Sequence, residues 1–356
     1  MTENLAKLLE RVSKSQVDNP VDPEEALALV VDGIVDALLE DWPKERAREE
    51  AHLTGFRERL MLVWNRPLTL FRILLAASGE CFEEYAASLE QARTAKGASL
   101  RQALYYVHGR VLRTATAVGV LLEQGLPDDA YARCRTLYEL YVTGSFIADH
   151  GDEAGLLYLE HDAVGQWKRL KRERSWGAKN VPKRLERAIK ADYRRVLRLY
   201  GESFGNDYGW ASKFLLNKSG KAIANPKVEQ IARATLAGEL PDGHPPFYVE
   251  SSFQVHAGVS GALGLASGGE PIFPVGRGNA GLEVPLMSAS QWIARASALL
   301  RDHSLSMERG LKNLSTDTLF RLEERIREEA TVCAEQVERE TARLKKLRGR
   351  KLRRKN

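Results

Sequence analysis

Hydrophobic residues recur with the period of an α-helix along most of this chain. The first helix is expected to begin at Asp22-Pro23-Glu24, because an acid, a proline and a second acid suit a helix N-terminus. The apolar stripe that follows has steps of one, three and four residues and contains Leu27, Val30, Val31, Ile34, Val35 and Leu38. Further helices are predicted over residues 44–95 with a break near Pro67, over 99–125, 128–150, 153–174, 183–200, 228–237 and 246–265, and again from 288 and from 317. The pattern therefore predicts an all-α fold.

Three segments refine this picture. Residues 128–150 are apolar on nearly every side, which favours a helix at the centre of a bundle that stops at Gly151. Residues 201–226 are rich in Gly, Asn, Ser and Lys and are expected to form a long loop. Residues 270–285 could form one short β-hairpin, although their prolines restrict it to an edge or an extended loop. We therefore predict a multi-helix bundle with at most this one hairpin.

The chain is expected to contain three parts. Residues 1–98 form an N-terminal helical extension, residues 99–310 a central helical bundle domain, and residues 311–356 a C-terminal amphipathic helix with a basic tail. The apolar positions of the last helix are Leu319, Leu322, Ile326, Ala330, Cys333, Val337 and Leu344. They suit packing along the same molecule, which we slightly prefer, or a short coiled coil that would form a homodimer through this helix.

Composition excludes several classes of protein. The balance of 44% hydrophobic and 28% charged residues is that of a folded globular chain. Cys81, Cys134 and Cys333 are too dispersed for a disulfide framework or a metal cluster, so a reducing, cytoplasmic location is expected. The N-terminus has no signal-peptide pattern, and the longest uncharged run, residues 251–269, is too rich in Gly and Ser for a membrane span. No HExxH, P-loop or Rossmann motif occurs, so no metal, cofactor or membrane partner is predicted.

The net charge of +5 conceals a strong asymmetry. Residues 343–356 contain nine Lys and Arg and no acid, and residues 168–198 contain thirteen basic residues and three acidic ones. The remainder of the chain therefore carries a net charge of −14. Two basic segments on an acidic chain favour contact with a polyanion. The alternative is a solvated helix face and a solubilising tail.

The basic helix over residues 183–200 is the strongest indication of a partner. Its charged stripe contains Arg187, Lys190, Arg194 and Arg198. Trp167 and Trp176 lie upstream among basic residues and could stack on bases of single-stranded RNA or DNA, or could instead anchor helix packing. The predicted nucleic-acid contacts are Trp167, Lys168, Arg169, Lys171, Arg172, the stripe, and Arg350, Lys351, Arg353 and Arg354 in the tail.

A set of polar residues on the apolar helices could form a central pocket. Arg135 and Glu139 lie four residues apart and so share a helix face, which predicts an ion pair that is at least partly buried. The other candidates for this pocket are His161, Asp162, Tyr208, Trp210 and His256. The alternative is a structural network that holds neighbouring helices together, with each histidine in a packed or capping role.

The same residues carry a resemblance to a known family. Arg-Thr-Leu-Tyr-Glu at 135–139, Glu-His-Asp at 160–162, Tyr-Gly-Trp at 208–210 and Ser-Ser-Phe-Gln-Val-His at 251–256 are similar to motifs of DUF5677, a bacterial family of unknown function. The resemblance covers about residues 100–300. It implies a helical domain with a polar centre, and it supplies no established reaction.

A second resemblance concerns two residues of one helix. Arg101 and His108 are seven positions apart and share a face, a spacing similar to the Arg-x4–6-His pattern of the HEPN ribonucleases. This resemblance implies that His108 would assist attack by a ribose hydroxyl and that Arg101 would stabilise the phosphorane, without a metal. A chance pairing within a helical protein rich in arginine is the alternative.

These observations lead to a functional hypothesis with two alternatives. The chain is expected to be a cytoplasmic nucleic-acid-binding helical protein, of a bacterial defence or stress system. A metal-independent HEPN-like ribonuclease is the enzymatic alternative. A structural or protein-interaction module is the third.

Overall fold

A computed structural model describes residues 23–91, 96–177, 181–236, 246–255, 276–305 and 309–353 of the 356-residue chain. Within these ranges the regular structure is helical and no strand occurs, so the all-α prediction is confirmed. The α-helices are α1 (Pro23–Gln91), α2 (Ala98–Glu123), α3 (Pro127–Glu160), α4 (Asp162–Ser175), α5 (Lys183–Tyr200), α6 (Val228–Thr235), α7 (Pro246–Phe253), α8 (Glu283–Asp302) and α9 (Arg309–Arg353).

The chain divides into two compact units, Met1–Leu62 and Val63–Asn356, so the division falls within α1. In the first unit, the described residues are helical and the apolar stripe is largely exposed at Leu27, Val31, Val35 and Leu38. The predicted organisation into residues 1–98, 99–310 and 311–356 stays a prediction. By length and composition, Val30–Leu89 could also cross a membrane, but a core helix of a soluble protein meets the same criterion.

The second unit is built around α2 and α3. These helices pack along each other, and α8 packs against both and against α9. Small residues permit close approach of the helices, since Gly144 lies against Leu104, Val107 and Leu299. The shorter helices α6 and α7 pack on α3, so α3 is the central helix that its apolar sequence predicted.

The helix α3 is interrupted at Gly151, where its sequence predicted a stop. Gly151 has a φ of +73° and a ψ of −152°, outside the helical range, yet the helix resumes and continues to Glu160. Asp152 then accepts a hydrogen bond from the backbone N–H of Leu100 at 3.0 Å, which satisfies an amide of the first turn of α2. A Cβ at Gly155 would lie 2.6 Å from the Cα of Leu100. The bend therefore allows α3 to pack directly on the start of α2.

The expected break near Pro67 is wrong, because α1 continues through it. A proline removes the hydrogen bond to the carbonyl four residues earlier, here that of Val63. The thiol of Cys333 in α9 donates to that Val63 carbonyl at 3.1 Å. A contact from another helix thus replaces the bond that the proline removes.

The second arm of the predicted hairpin is also wrong. Residues 283–285 form the first turn of α8, where a proline is tolerated because the first amides of a helix have no partner within the helix. The first arm, residues 270–275, lies outside the described residues. The predicted loop over 201–226 contains two short 3-10 helices, Glu202–Gly205 and Gly209–Phe214, and an isolated bridge between Leu216 and Ala222.

The last helix packs along its own chain over part of its length. Leu319, Ile326, Cys333 and Val337 are buried, while the side chains from residue 338 to 347 are exposed. This arrangement agrees with the preferred packing on the same molecule. The homodimer through α9 stays a prediction.

Candidate functional site

The predicted ion pair of α3 forms the centre of a polar network with α7. The Nε of Arg135 donates to Oε1 of Glu139 at 3.0 Å, and their side chains are 26% and 30% exposed, so the pair is partly buried. Arg135 also donates to the hydroxyl of Ser252 at 3.1 Å. The hydroxyl of Tyr248 donates to the same Glu139 oxygen at 2.9 Å, and its ring lies 4.9 Å from the guanidinium carbon of Arg135. The network therefore ties α7 to the centre of α3.

Burial and charge in this network hold its tyrosines in the neutral form. Burial, followed by the negative charge of Glu139, raises the pKa of Tyr248 above its ordinary value. The same two causes raise the pKa of Tyr208 to about 12, although the positive charge of Arg135 opposes them. Tyr208 is therefore within electrostatic range of both charged groups, and its hydroxyl is protonated at neutral pH. The network can orient a polar group, but it contains no activated nucleophile.

Tyr208 feels the charges of Arg135 and Glu139, whereas His161 and Asp162 have their hydrogen-bond partners elsewhere. His161 Nε2 lies 2.8 Å from the backbone carbonyl of Asn206, and burial lowers the pKa of this imidazole. The exposed Asp162 accepts a hydrogen bond from Gln166 at 2.6 Å. These contacts give His161 a packing role and place Asp162 in a surface side-chain pair on the first turn of α4.

The remaining two pocket candidates do not join the network either. Trp210 is buried edge-on against Phe146 and Tyr158, in a packing role. His256 lies outside the described residues. Tyr248 was not predicted, although it lies one helical turn before Ser252, which shares the family-like segment with His256. One more step of four residues along the same helix would have identified it.

Arg101 and His108 both face the protein core. They are 7% and 2% exposed, respectively. Arg101 donates from Nη2 to the backbone carbonyl of Lys96 at 2.8 Å, and the His108 ring stacks on Phe82 with centroids 5.9 Å apart. Burial lowers the pKa of His108 to about 4, so the imidazole is neutral at physiological pH. This geometry gives the ribonuclease alternative no support, because a phosphate could reach neither side chain.

The basic residues lie on a helical hairpin formed by α4 and α5. The two helices are antiparallel, because their contacts pair in reverse order. Trp167 stacks on Tyr193 with ring centroids 5.4 Å apart, and Arg174 forms an ion pair of 2.6 Å with Glu186 nearer the turn. Trp167 therefore anchors helix packing, the second of its two predicted roles.

One side of this hairpin is strongly positive. Successive residues of a helix are rotated by about 100° around its axis. In an antiparallel pair, the residues directly after the contacting positions of each helix therefore lie on the same side of the pair. The stripe of α5 occupies this side, one position after the residues that contact α4. We call the following set the basic face: Lys168, Lys171, Arg172, Arg187, Lys190, Arg194 and Arg198. The predicted contact Arg169 is exposed but lies off this face.

The stripe of the basic face lacks carboxylate partners. Arg187, Lys190, Arg194 and Arg198 are all exposed, and within the described ranges none forms an ion pair. On α4, Lys168 is paired with Asp207 at 2.6 Å, and its hydrogen bond lowers the pKa of that carboxyl. The face therefore retains a concentrated positive charge on α5.

The tail residues can be placed only in part. Arg350, Lys351 and Arg353 belong to the last turns of α9, but their side chains are outside what the structure describes. Arg354 lies outside the described residues altogether. The tail therefore supports the nucleic-acid hypothesis through its charge alone, and the positions of its side chains add nothing to it.

The described part of the chain also contains cavities, one of which is lined by the candidate residue Trp210. A cavity of about 530 Å³ is lined by Leu157, Tyr200, Phe204 and Trp210, and a second of about 380 Å³ lies between the start of α8 and α9. In the part of the chain that the structure describes, no group of three His, Cys, Asp or Glu side chains could hold a metal ion.

Comparison with known proteins identifies part of the chain. Neither curated proteins nor solved structures give a match. Among family models, one matches slightly less than half of the chain and contains α3, α4, α5 and the network around Arg135. The expected resemblance is confirmed over this stretch and ends earlier than residue 300. Residues 102–269 match DUF5677, a family of unknown function.

Proposed function

We propose that this protein is a cytoplasmic nucleic-acid-binding protein that contacts phosphates through the basic face of the α4–α5 hairpin. The observation that carries this proposal is the stripe of four exposed cations on α5 without carboxylate partners among the described residues. Cys81, Cys134 and Cys333 are free and buried, as suits a reducing compartment. The basic tail over residues 343–356 would supply further phosphate contacts.

The spacing of the stripe has an energetic cost in the free protein. Arg187 and Lys190, Lys190 and Arg194, and Arg194 and Arg198 are three or four residues apart, so like charges face each other along the helix. Such pairs each destabilise a helix by about 0.2–0.5 kcal/mol. A bound polyanion would convert this repulsion into attraction, whereas a solubilising surface would gain nothing from three adjacent like-charge pairs.

The size of the stripe suits a phosphate backbone. Arg187 and Arg198 are eleven residues apart, which corresponds to about 17 Å along the helix axis. Lysine and arginine at this density release condensed counterions when they neutralise phosphates, and this release supplies sequence-independent affinity. A purely structural or protein-interaction role predicts no such affinity.

The test is a comparison of two double variants at several salt concentrations. Lys190→Ala/Arg194→Ala removes two charges from the basic face, and Lys218→Ala/Lys221→Ala removes two exposed charges from the loop after α5. We expect the first variant to weaken binding and to reduce the slope of log affinity against log salt by about 2, while the second matches the wild type. Fluorescence anisotropy with labelled oligonucleotides gives both quantities.

Two results would contradict the proposal. One is a wild-type protein that binds neither single-stranded nor duplex oligonucleotides at about 50 mM salt. The other is an equal loss of affinity in the two double variants, which would make the effect one of total charge and not of the basic face.

A further inference from the structure

Trp176 is the most exposed of the six tryptophans of the chain. Its side chain is 81% exposed, whereas Trp64, Trp210 and Trp292 are at most 3% exposed. Within the described ranges the Trp176 ring contacts no other aromatic ring, unlike Trp167 on the same hairpin. Most of a large aromatic surface is thus exposed to solvent, and little of it packs against the described residues.

The backbone holds Trp176 at the tip of the basic hairpin. Its N–H donates to the carbonyl of Arg172 at 3.1 Å and ends α4, and Gly177 follows with a φ of +85° that reverses the chain. The ion pair between Arg174 and Glu186 places this tip at the Arg187 end of the α5 stripe. The exposed ring therefore lies at the end of a row of cations.

An exposed aromatic ring beside a row of cations is the arrangement used to hold unpaired bases. Proteins bind single strands by following the phosphates with positive charge and stacking bases on aromatic side chains. A duplex keeps its bases stacked inside, so a ring at the tip could reach one only by opening a base step.

A membrane surface fits the hairpin less well. Interfacial helices need a continuous apolar face opposite the charges. The exposed large apolar residues of α5, Leu185 and Leu199, are separated by about 21 Å along the helix. Two leucines this far apart and a single tryptophan do not form a continuous apolar face that could insert into a membrane.

We propose that Trp176 stacks on an unpaired base and that the ligand of the basic face is single-stranded nucleic acid. This inference rests on the proposed nucleic-acid function. Phosphates next to the stacked base lie along Arg187, Lys190 and Arg194, so charge supplies most of the affinity and the ring selects single strands over duplexes.

The experiment compares Trp176→Ala, Trp176→Phe and Trp42→Ala in the full chain. Trp42 is 53% exposed on α1 and serves as a control for loss of a surface tryptophan. The probes are a labelled oligothymidylate, an oligouridylate of about 12 nucleotides, and a duplex of equal length. We expect Trp176→Ala to lose about 5- to 150-fold in single-strand affinity, with the salt slope and the duplex affinity unchanged. Trp176→Phe retains most of the affinity, and Trp42→Ala retains all of it.

The outcomes separate this inference from the proposed function. If the wild type binds no probe at low salt, the proposed function fails and this inference fails with it. If the wild type binds and Trp176→Ala binds single strands equally well, only the inference is overturned. An equal loss of single-strand and duplex binding overturns it in favour of a duplex wedge. If Trp176→Ala loses binding to phosphatidylserine vesicles while its oligonucleotide binding stays intact, the inference is overturned in favour of a membrane surface.

Discussion

The imidazole of His108 shows how the core of the protein controls a titratable group. Its two ring nitrogens are buried, and neither forms a hydrogen bond of acceptable geometry with a described residue. The backbone groups of Ser78 and Ala296 lie close by. Burial disfavours the charged imidazolium and lowers the pKa of His108 to about 4. The side chain consequently acts as a flat neutral ring that stacks on Phe82.

This burial predicts a specific dependence of stability on pH. The unfolded chain binds the His108 proton near pH 6.5 and the folded chain only near pH 4. Between these values the unfolded state holds more protons, so the free energy of unfolding rises with pH. The contribution, about 3 kcal/mol, is fully present above pH 6.5 and is lost as the pH falls towards 4.

The measurement is urea unfolding between pH 4 and 7 for the wild type and for His108→Phe, which keeps an aromatic ring beside Phe82. The variant is expected to show a shallower rise of the free energy of unfolding with pH. Some slope remains, because burial also lowers the pKa of His161. Identical slopes in the two proteins would show that His108 titrates in the folded state as it does in the unfolded chain.

At the scale of elements, the packing of α3 on α2 depends on a position without a side chain. A Cβ at Gly155 would lie 2.6 Å from both the Cα and the N of Leu100, and backbone atoms cannot move aside as a flexible side chain can. The hydrogen bond from Leu100 to Asp152 holds the same two segments together. The start of α2 and the second half of α3 therefore have little freedom to separate.

Gly155→Ala is accordingly expected to destabilise the protein by about 1–3 kcal/mol, through overpacking. The matched control is Gly165→Ala in α4, where nothing lies within 4 Å of the new Cβ. There, alanine is expected to stabilise the helix by about 0.5–1 kcal/mol. Denaturant unfolding of both variants gives the comparison, and a loss of the same size at Gly165 would refute the close-packing argument.

Sequence periodicity predicts a helix well where the residues of that helix alone determine where it begins and ends. The basic helix has the predicted bounds, residues 183–200, because its polar and apolar stripes are continuous. The errors arise where another segment intervenes. Pro67 leaves α1 unbroken, because the thiol of Cys333 in α9 satisfies the Val63 carbonyl. Such compensation comes from residues far away in the chain.

The same rule explains what could be predicted of the candidate site. Arg135 and Glu139 are neighbours on one helix, so their spacing alone predicts their ion pair. Tyr248 and Ser252 reach that pair from α7, and their partners follow from tertiary packing. Likewise, sequence puts Trp167 and Trp176 in the same basic context, and only packing against Tyr193 separates an anchoring ring from an exposed one.

At the scale of the whole molecule, charge is divided between two kinds of sequence segment. The basic hairpin and the basic tail both belong to the unit Val63–Asn356, while the chain outside these two segments has a net charge of −14. The two basic segments attract a polyanion and repel cations. They act through their local electrostatic field and not through the modest total charge of +5. In the proposed binding, the tail would therefore strengthen affinity without determining which ligand is bound.

A tail in which the nine Lys and Arg of residues 343–356 are replaced by Gln tests this division of roles. Binding of single strands and duplexes is expected to weaken by the same factor, because phosphate contacts carry no sequence or strand preference. The salt slope should fall by about 0.7–0.9 for each phosphate that the tail no longer neutralises. Stability should change by less than about 0.5 kcal/mol, since the tail side chains that the structure describes, those of residues 343–347, are exposed. Salt titrations by anisotropy, with Lys190→Ala/Arg194→Ala measured alongside, check these expectations. The neutral tail could instead change the preference between single strands and duplexes and leave the salt slope as it was. That result would show that the tail distinguishes between ligands and does not simply attract them.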